Sequence, residues 1–390
     1  MERKIYLDNS ATTKICDEAL DKYVEVSREC YGNPSSLHTL GFDAEKLIDK
    51  ARAEICSSLG LKGGSIIFTA SGTEANNLAI IGRAMAKERY KRGAKIITTM
   101  GEHASVDAPL NLLQGMGYKI ARIPTVGGEI DMDALKKELT PDVILVSMMM
   151  VNNETGALYD TSAVAKLTKA CCPDSLIHID ATQSYLKIPF TMTSCGADMI
   201  TLSSHKIEGP KGVGALVVDG KVMKSRGLAP LILGGGQEGG MRSGTENVPG
   251  IVAFGEAVKI GFASLRQRYS YISSLKSYLI ESIEGNECLS EISITKPTRT
   301  APHIVNITLP KIKSETMLHY LSSLGIYVSS GSACSSNSAH LSSALTAFGR
   351  SNEEADTSIR ISLSHRNTKG DIDGLIEGLV SGLAKLSRIR

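Results

Sequence analysis

The segment SSHKIEGPKG, Ser203 to Gly212, follows directly on the short apolar run DMITL, Asp198 to Leu202. A short apolar run that ends at small and turn-forming residues indicates a buried β-strand, so Lys206 comes just after its carboxyl end. Open α/β sheets bind ligands at that end, and a lysine held there near apolar walls can lose its proton and form a Schiff base. Taken alone, the segment is also compatible with an ordinary surface lysine, which is what most lysines are.

Outward from this segment, short β-rich runs alternate with helical stretches from about residue 65 to residue 220. The intervening segments Gly72 to Arg89 and Asp160 to Ala170 have the composition of helices. Alternation at this spacing predicts an α/β fold, in which a mostly parallel seven-stranded sheet is flanked by helices. The predicted strands are Ser65 to Phe68, Lys95 to Thr99, Tyr118 to Ile123, Val143 to Met148, Leu176 to Ile179, Met199 to Leu202 and Gly214 to Val218.

The rest of the chain departs from this alternation. The Gly-rich segment Gly234 to Asn247 cannot form regular structure, and one long helix is expected from about Val248 to Glu284. The last hundred residues have the pattern of a smaller α+β domain. Within it, the segment Ser358 to Ser364 alternates between apolar and polar residues, which predicts a strand.

With 390 residues the chain can bury a large core, and we expect a large domain over residues 15–260 and a small domain over residues 1–14 and 261–390. The formal net charge of +2 gives no reason to expect nucleic acid or an anionic membrane as a partner. We find no secretory signal and no apolar run of about 18 residues, so no membrane-spanning helix is expected. The eight cysteines form no CxxC pair and no metal-binding spacing, which is typical of reduced thiols in the cytoplasm.

The segment HIDATQS, His178 to Ser184, also ends an apolar run and places Asp180 at a second strand terminus. In a pyridoxal-phosphate (PLP) site such an acid pairs with the pyridine nitrogen and keeps it protonated. Gln183, three residues further on, could donate to the ring hydroxyl. A strand-end Asp is also a common helix N-cap, but the 26 residues from Asp180 to Lys206 fit one crossover between neighbouring strands and favour a shared site.

The segment FTASGTEANN, Phe68 to Asn77, has the pattern of a strand, a turn of small residues and a helix. The free amides of Gly72 and Thr73 at the helix start can bind a phosphate, with the Thr73 hydroxyl as a further donor. No GxxxxGK[ST] spacing is present, so the segment is not a Walker A motif, and by itself it is equally an ordinary capped helix. Ser203 and His205, close to Lys206, are further possible phosphate donors.

Three more polar residues are candidates for the same site. His103 in GEHASV and Asn153 in VNNETG both follow predicted strands, where the first could lie over a cofactor ring and the second could reach a substrate. Arg360 lies on the polar face of the predicted strand Ser358 to Ser364, where a guanidinium can bind a carboxylate through two bonds. In isolation, His103 is equally explained as a structural hydrogen-bonding residue and Arg360 as a surface residue.

Together these segments resemble the cysteine desulfurases, which are PLP enzymes of the aminotransferase-like fold (fold type I). The resemblance runs over nearly the whole chain and keeps the family's order of motifs, which is not expected by chance. The motifs are YLDNSATT (Tyr6 to Thr13), YGNPSSLH (Tyr31 to His38), FTASGTEANN, VNNETG, HIDATQS, SSHKIEGPKG, GGGQEGGMRSGTEN (Gly234 to Asn247), SSGSAC (Ser329 to Cys334) and SIRISLS (Ser358 to Ser364).

The resemblance implies how the cofactor is held. Lys206 is expected to form the Schiff base with PLP, and Asp180 to pair with the pyridinium nitrogen. Gln183 is expected at the ring hydroxyl, and His103 is expected to stack on the ring. The residues expected at the phosphate are Gly72, Thr73, Ser203 and His205.

The resemblance also implies the reaction and the partners. Asn153 and Arg360 are expected to bind the carboxylate of L-cysteine, which is converted to L-alanine while its sulfur passes to Cys334 as a persulfide. A sulfur-acceptor protein, either an iron–sulfur cluster scaffold or a thiolation enzyme, then takes the sulfur. Thr245 is expected to reach the phosphate of the other protomer, which implies a homodimer with shared active sites.

Two details refine this interpretation. The spacing from Cys334 to Gly349 resembles the branch of the family with the longer, flexible cysteine loop, so the Ser-rich segment Ser329 to Ser343 is expected to be mobile. Glu208 places a charge in SSHKIEGPKG where a larger neutral residue is expected, and the sequence assigns no role to it.

Three alternatives remain open at this point. A selenocysteine lyase has the same fold and cofactor but removes selenium. A PLP aminotransferase of the same fold needs no cysteine in its reaction. A non-catalytic scaffold protein that kept the fold is disfavoured, because Lys206, Asp180, Arg360 and Cys334 are all present.

Overall fold

The computed structural model describes residues 4–61, 64–86, 94–330 and 342–386. The strands are β1 (Ile5–Tyr6), β2 (Gly64–Thr69), β3 (Lys95–Thr99), β4 (Lys119–Ile123), β5 (Val143–Met149), β6 (Leu176–Asp180), β7 (Met199–Ser203), β8 (Gly214–Asp219), β9 (Ser293–Ile294), β10 (Ile304–Thr308), β11 (Ile326–Tyr327), β12 (Ser329–Ser330) and β13 (Ser358–Ser362). The helices are α1 (Asp17–Glu29), α2 (Thr39–Ser58), α3 (Gly72–Met85), α4 (Ala104–Gly115), α5 (Met132–Glu138), α6 (Thr161–Cys171), α7 (Met192–Cys195), α8 (Gly220–Lys224), α9 (Val248–Ala263), α10 (Leu265–Glu284), α11 (Ser314–Ser323), α12 (Ser343–Phe348), α13 (Asn352–Asp356) and α14 (Lys369–Leu386).

The central layer is a seven-stranded sheet with the strand order β2-β8-β7-β6-β5-β3-β4. Neighbouring strands from β7 to β4 pair in parallel, whereas β8 runs antiparallel to both β2 and β7. Strands β5 and β7 are buried at every residue, as expected when helices cover both faces of a sheet. The prediction of an α/β fold with a mostly parallel seven-stranded sheet is confirmed.

Two apolar clusters pack against this sheet. The larger cluster contains buried residues of α1, α2, α6 and α9, and the other contains buried residues of α3 and α4. These helices place their apolar residues on the sheet, so the inner strands β3, β5 and β7 are buried at every residue. This burial fixes the strand register and therefore the positions at which the strands end.

The strands β2, β3, β5, β6 and β7 all point the same way and end at one edge of the sheet. Their last residues are Thr69, Thr99, Met149, Asp180 and Ser203. Residues that follow these strands are far apart in sequence but emerge at the same edge. This carboxyl edge is where the sequence motifs come together.

A third apolar cluster surrounds the four-stranded sheet β12-β13-β10-β9 and the parallel pair β1-β11. Ile5 and Leu7 from the start of the chain belong to it, together with residues of α10, α11 and α14. In β13, Ile359 and Ile361 are part of this cluster, while Arg360 between them faces the large sheet's carboxyl edge. The domain bounds given above, 15–260 for the large domain, stay a prediction.

The prediction of one helix from Val248 to Glu284 is wrong, because α9 and α10 are separate helices that meet at Ser264 with a bend of 71°. The apolar residues of α9 pack into the largest cluster and those of α10 into the third, which no straight helix can do. The Ser264 hydroxyl donates to the carbonyl of Ile260 at the break (2.9 Å). Among the described residues, no single helix has the length and hydropathy to cross a membrane, and α9 and α10 reach that level only as a bent pair.

Candidate active site

A cavity of about 440 Å³ lies at the carboxyl edge of the large sheet. Most of the predicted site residues contribute to its wall, although they come from segments far apart in the sequence. They are Gly72, Thr73, His103, Asn153, Asp180, Gln183, Ser203, His205, Lys206 and Arg360. Thr245 lines a separate cavity of about 190 Å³, and Cys334 lies outside the described residues.

Lys206 lies on a short 3₁₀ turn, Ser204–Lys206, that follows β7. Its ammonium donates to the carbonyls of Ser10 (2.6 Å) and Ala11 (2.8 Å). Thr13 fixes the same N-terminal loop to the turn, because its amide N–H (2.9 Å) and its hydroxyl (2.8 Å) both donate to the carbonyl of His205. The amine is therefore held at the wall of the cavity by the first residues of the chain.

Asp180 ends β6, and its side chain is held in a fixed orientation although the residue is only 6% exposed. One carboxylate oxygen accepts the amide N–H of Thr182 (2.9 Å), and the other accepts the side-chain amide of Asn76 (2.8 Å). A carboxylate has about four acceptor positions, so these two bonds leave capacity for a further donor in the cavity. Asp180 can thus receive a protonated ring nitrogen.

His103 is the N-cap of α4, and its Nδ1 accepts the amide N–H of Ser105 (3.1 Å). The Ser105 hydroxyl lies 2.8 Å from the same nitrogen and in turn accepts the side-chain amide of Asn76 (2.8 Å). Because Nδ1 is an acceptor, the neutral ring carries its proton on Nε2. Burial lowers the pKa of His103, so the neutral form dominates at neutral pH. Asn76 therefore connects Asp180 to His103 through Ser105.

Gly72 and Thr73 begin α3 directly after the N-cap Ser71. The first N–H groups of a helix have no carbonyl partner within it and carry the positive end of its dipole, which suits a phosphate. A Cβ at Gly72 would lie 3.2 Å from the Cβ of Ser203 and 3.3 Å from the Oγ1 of Thr182. The absence of a side chain at Gly72 thus keeps this end of the cavity open for an anion.

His205 and Gln183, two further predicted cofactor residues, both have polar partners in the N-terminal loop. The Nδ1 of His205 lies 3.0 Å from the Thr12 hydroxyl, and burial lowers the pKa of His205 to about 4, so its ring is neutral. The Gln183 amide donates to the carbonyl of Ser10 (2.9 Å), and its oxygen accepts the Lys187 ammonium (3.1 Å). Burial also lowers the pKa of Lys187 well below its usual value.

Arg360 extends from β13 to the opposite side of the cavity and is 5% exposed. Its Nη2 donates to the carboxylate of Asp8 (2.9 Å), and its Nη1 donates to the carbonyl of Asn153 (3.0 Å). Its Nε is buried and has no hydrogen-bond partner among the described residues. Since an unpaired buried donor is costly, this edge of the guanidinium suits an incoming carboxylate.

The residues around the cavity fit PLP. Lys206 supplies an amine for the aldehyde, Asp180 a carboxylate for the ring nitrogen, and the start of α3 a phosphate cradle that a Cβ at Gly72 would crowd. The volume of about 440 Å³ is within the usual range for a site that holds a small molecule or cofactor.

Comparison with known proteins decides the family. The model of the class-V aminotransferase family matches residues 5–375. The cysteine desulfurase IscS of Dictyoglomus turgidum is 36% identical over 391 aligned positions, which cover 100% of this chain and 97% of that protein. The chain belongs to the cysteine desulfurase family of class-V aminotransferases. It is accordingly a PLP-dependent enzyme of fold type I.

Solved structures of other proteins support the same assignment. A NifS-like protein superposes with a TM-score of 0.89 at 33% identity, with coverage of 98% of this chain and 100% of that one. The structure of SspA in complex with cysteine gives a TM-score of 0.79 at 30% identity, with coverage of 94% and 100%. The likeness to these two proteins therefore extends over nearly the whole chain.

Three residues of this site were given no role by the sequence-based prediction. Asp8 pairs with Arg360, while Asn76 and Ser105 form the link between Asp180 and His103. Asp8 and Asn76 lie inside YLDNSATT and FTASGTEANN, two motifs that carry the family resemblance, and Ser105 lies in GEHASV, two residues after His103. The signal was present, but only the contacts show what these side chains do.

Proposed function

We propose that this enzyme removes sulfur from L-cysteine, releases L-alanine and holds the sulfur on Cys334 as a persulfide. The observation that carries the proposal is that Lys206, Asp180 and Arg360 surround one cavity in a chain of the cysteine desulfurase family. An amine, an acid beneath a ring and a buried guanidinium are the groups that an amino-acid reaction on PLP requires.

PLP, when bound, withdraws electrons from the α-carbon of the amino acid attached to it. Arg360 and Asn153, which contact each other in the cavity wall, would hold the substrate carboxylate. Lys206 would take the proton from the α-carbon, because its amine lies in the wall of the cavity that would hold the substrate. The Asp180 carboxylate would accept a hydrogen bond from the ring nitrogen, and His103 in its neutral form would carry protons between substrate and solvent.

The sulfur step uses Cys334 as nucleophile. Its thiolate attacks the substrate sulfur, and a sulfur–sulfur bond forms while the substrate carbon–sulfur bond breaks. The electron pair stays with the three-carbon fragment, which takes up a proton and leaves as alanine, so no external oxidant is consumed. A free thiol has a pKa of about 8.5, so a proton acceptor near Cys334 is needed for rapid attack at neutral pH.

The test is mass spectrometry of the PLP-loaded enzyme after one equivalent of L-cysteine. We expect one added sulfur on the peptide that contains Cys334 and one alanine released. Cys334→Ala should abolish both, and Lys206→Ala should also remove the visible absorbance of lysine-bound PLP. Full alanine release by Cys334→Ala would contradict the proposal, as would a clear preference for selenocysteine over cysteine in the same assay.

The proposal includes a homodimer with shared active sites. Thr245 is absent from the wall of the main cavity of its own chain, and large apolar side chains are exposed at Leu37 (105%), Leu233 (77%) and Tyr31 (74%). We propose that these side chains form part of the interface between the two protomers. Light scattering should give twice the mass of one chain, and Leu233→Glu should lower that mass and weaken PLP binding. A fully active monomer would contradict this part of the proposal.

The proposed setting is the cytoplasm, with delivery of the sulfur to an acceptor protein. The seven described cysteines are all free, and Cys171 and Cys288 are exposed, which suits a reducing compartment. The enzyme is first loaded with persulfide from L-cysteine that carries radioactive sulfur, and is then mixed with candidate scaffold and thiolation proteins. One of these proteins should become radioactive. If the labelled sulfur left the enzyme only as free sulfide although all these proteins were present, the proposed delivery to an acceptor protein would be contradicted.

A further inference from the structure

Glu208 lies two residues beyond Lys206, and no role for its charge is evident from the sequence alone. The residue is only 6% exposed, and its backbone has a φ of +66°. Residues other than glycine rarely adopt this left-handed conformation, so contacts outside the turn must hold it there. The contacts of Glu208 are therefore informative about how the Lys206 turn is kept in place.

The Glu208 carboxylate binds two arginines. Its Oε2 accepts Arg268 Nη1 (2.9 Å) and its Oε1 accepts Arg366 Nε (2.6 Å), while the Nε2 of His365 lies 3.7 Å from Oε1. A buried carboxylate is stable only when it is paired and hydrogen-bonded, and two guanidiniums satisfy both of its oxygens. Burial lowers the pKa of His365.

These partners belong to separate parts of the fold. Arg268 lies on α10, and Arg366 lies in the segment that continues from β13, six residues after Arg360. The backbone of Glu208 adds two bonds to the N-terminal segment: its amide donates to the Thr13 hydroxyl (2.8 Å), and its carbonyl accepts the amide of Cys16 (2.9 Å). One residue thus connects the lysine turn to three other segments.

Glu208 does not belong to the wall of the 440 Å³ cavity. It lines a second cavity of about 40 Å³, to which Lys206 also contributes. Glu208 is therefore separated from the space for cofactor and substrate by the lysine itself. Glu208 can affect the reaction through the position of Lys206, which borders both cavities.

We propose that Glu208 is a positioning residue, which fixes the Lys206 turn relative to the segment that follows the strand of Arg360. The inference rests on the proposed function, since Lys206 and Arg360 are the amine and the carboxylate-binding group of that reaction. Reactions of this kind depend steeply on alignment, so a small shift of the amine lowers the rate of proton transfer. Arg360 keeps its own contacts with Asp8 and Asn153, so substrate binding should change little.

The first measurement is hydrogen exchange in the enzyme without PLP. The amides of Ile207 and Gly209 donate to the carbonyl of Ser204 (3.0 and 3.1 Å) and report on opening of the turn. Glu208→Gln should speed exchange in peptides that contain these amides, and Glu208→Asp, which keeps the charge, should restore part of the protection. Unchanged exchange in Glu208→Gln would overturn the proposal.

Asp198→Asn is the matched control. Asp198 lies at the opposite end of β7, where it accepts the ammonium of Lys169 and the amide of Ile177 (2.8 Å each). Asp198→Asn, like Glu208→Gln, removes a charge that has two partners, but this charge lies away from the Lys206 turn. Exchange at Ile207 and Gly209 should stay at the wild-type rate in this variant, and an equal increase there would overturn the proposal.

The second measurement is steady-state kinetics with L-cysteine and PLP. Glu208→Gln should lower kcat about tenfold with less than a twofold change in KM, and Asp198→Asn should leave both unchanged. Arg366→Gln removes one partner of the carboxylate while Arg268 remains, so it supplies a milder variant if Glu208→Gln does not fold. Faster exchange in a folded variant with wild-type kcat would overturn the positioning role.

These two measurements separate the inference from the function on which it rests. A wild-type enzyme that releases no alanine from L-cysteine would contradict the proposed function. The exchange experiment, which needs neither cofactor nor substrate, would still decide whether Glu208 holds the turn.

Discussion

Among single residues, Glu102 shows how burial sets the charge of a group next to the site. It directly precedes His103, its carboxylate accepts the amide N–H of Met149 (3.1 and 3.0 Å to the two oxygens), and the Thr99 hydroxyl donates to it. Burial raises the pKa of Glu102 from 4.5 to about 8. The folded protein therefore keeps a proton at neutral pH that the unfolded chain releases.

This difference makes the stability of the enzyme depend on pH. Between pH 4.5 and about 8 the folded state binds more protons at Glu102 than the unfolded state, so the free energy of unfolding falls as pH rises. The slope from this group is at most about 1.4 kcal/mol per pH unit. Glu102→Gln lacks the ionisation and can still pair with Met149 and Thr99. We therefore expect that the free energy of urea unfolding of Glu102→Gln, compared with that of the wild type, is higher at pH 8 than at pH 5.

The matched control for Glu102 is Glu129→Gln, because Glu129 is exposed. The free energy of unfolding of Glu129→Gln should equal that of the wild type at both pH 5 and pH 8. If the difference between Glu102→Gln and the wild type were the same at pH 5 and pH 8, the buried carboxyl would not be the group that titrates.

Asn76 gives a second prediction for a single residue. Asn76→Ala removes the donor to Asp180 and to Ser105, which leaves a buried carboxylate oxygen without this partner. The expected loss is about 1–3 kcal/mol of unfolding free energy together with weaker PLP binding. Asn77→Ala is the control, because the neighbouring Asn77 is a half-buried residue whose side-chain amide donates to the carbonyl of Thr73 within its own helix (2.9 Å). Equal PLP affinities in the two variants would show that the Asn76 link does not support the site.

Asn76 also shows how far single residues can be predicted from the sequence. Lys206, Asp180 and His103 could be proposed because each lies at the end of a strand or a few residues after it, so the backbone alone brings them to the sheet edge. The partners of Asn76 lie 29 and 104 positions away in the sequence. Nothing local to Asn76 specifies those contacts, which exist only once β6 and α4 are in place.

Among the secondary-structure elements, the strands of the large sheet were predicted more accurately than the long helix. Strands buried on both faces are short, nearly continuous apolar runs with clear ends, such as β5 at Val143–Met149. The segment from α9 to α10 keeps apolar residues at helical spacing through Ser264, so periodicity gives no sign of the break. The break is set by the two different cores that the helices join, which is a tertiary effect.

The start of α3 gives a prediction for a whole element. Gly72→Ala adds a Cβ that would meet Ser203 at 3.2 Å and Thr182 at 3.3 Å, so these neighbours must move by a few tenths of an ångström. The helix should still form, since Ser71 remains its N-cap. We expect the apo enzyme to fold and its PLP affinity, measured by absorbance titration, to fall about tenfold because the phosphate cradle is narrowed.

The control for this prediction is Gly115→Ala, a glycine-to-alanine change at the carboxyl end of another helix, α4. A Cβ at Gly115, the last residue of α4, meets no atom within 4 Å. This change should leave PLP affinity unaltered and stabilise the enzyme by up to about 1 kcal/mol, because alanine is the better helix former. Wild-type PLP affinity in Gly72→Ala would show that the phosphate does not bind against this helix start.

In the molecule as a whole, the first residues of the chain connect the small core to the active site. Leu7 is fully buried in the third apolar cluster, its amide donates to the carbonyl of Tyr327 (2.8 Å) and its carbonyl accepts the amide of Ser362 (2.7 Å). Within four residues the chain reaches Ser10 and Ala11, whose carbonyls hold the Lys206 ammonium. Packing in the small core should therefore influence how firmly the enzyme holds its cofactor.

Leu7→Ala tests this connection. Loss of a fully buried leucine should cost about 2–5 kcal/mol of unfolding free energy, and the loosened N-terminal segment should weaken PLP binding about tenfold. Leu289→Ala is the matched control, because Leu289 is 1% exposed in the same cluster but follows α10, away from the N-terminal loop. It should lose similar stability in urea and keep wild-type PLP affinity. If Leu7→Ala and Leu289→Ala bound PLP equally well, the N-terminal segment would stabilise the small core without positioning Lys206. Loss of packing in the small core would then not affect the cofactor site.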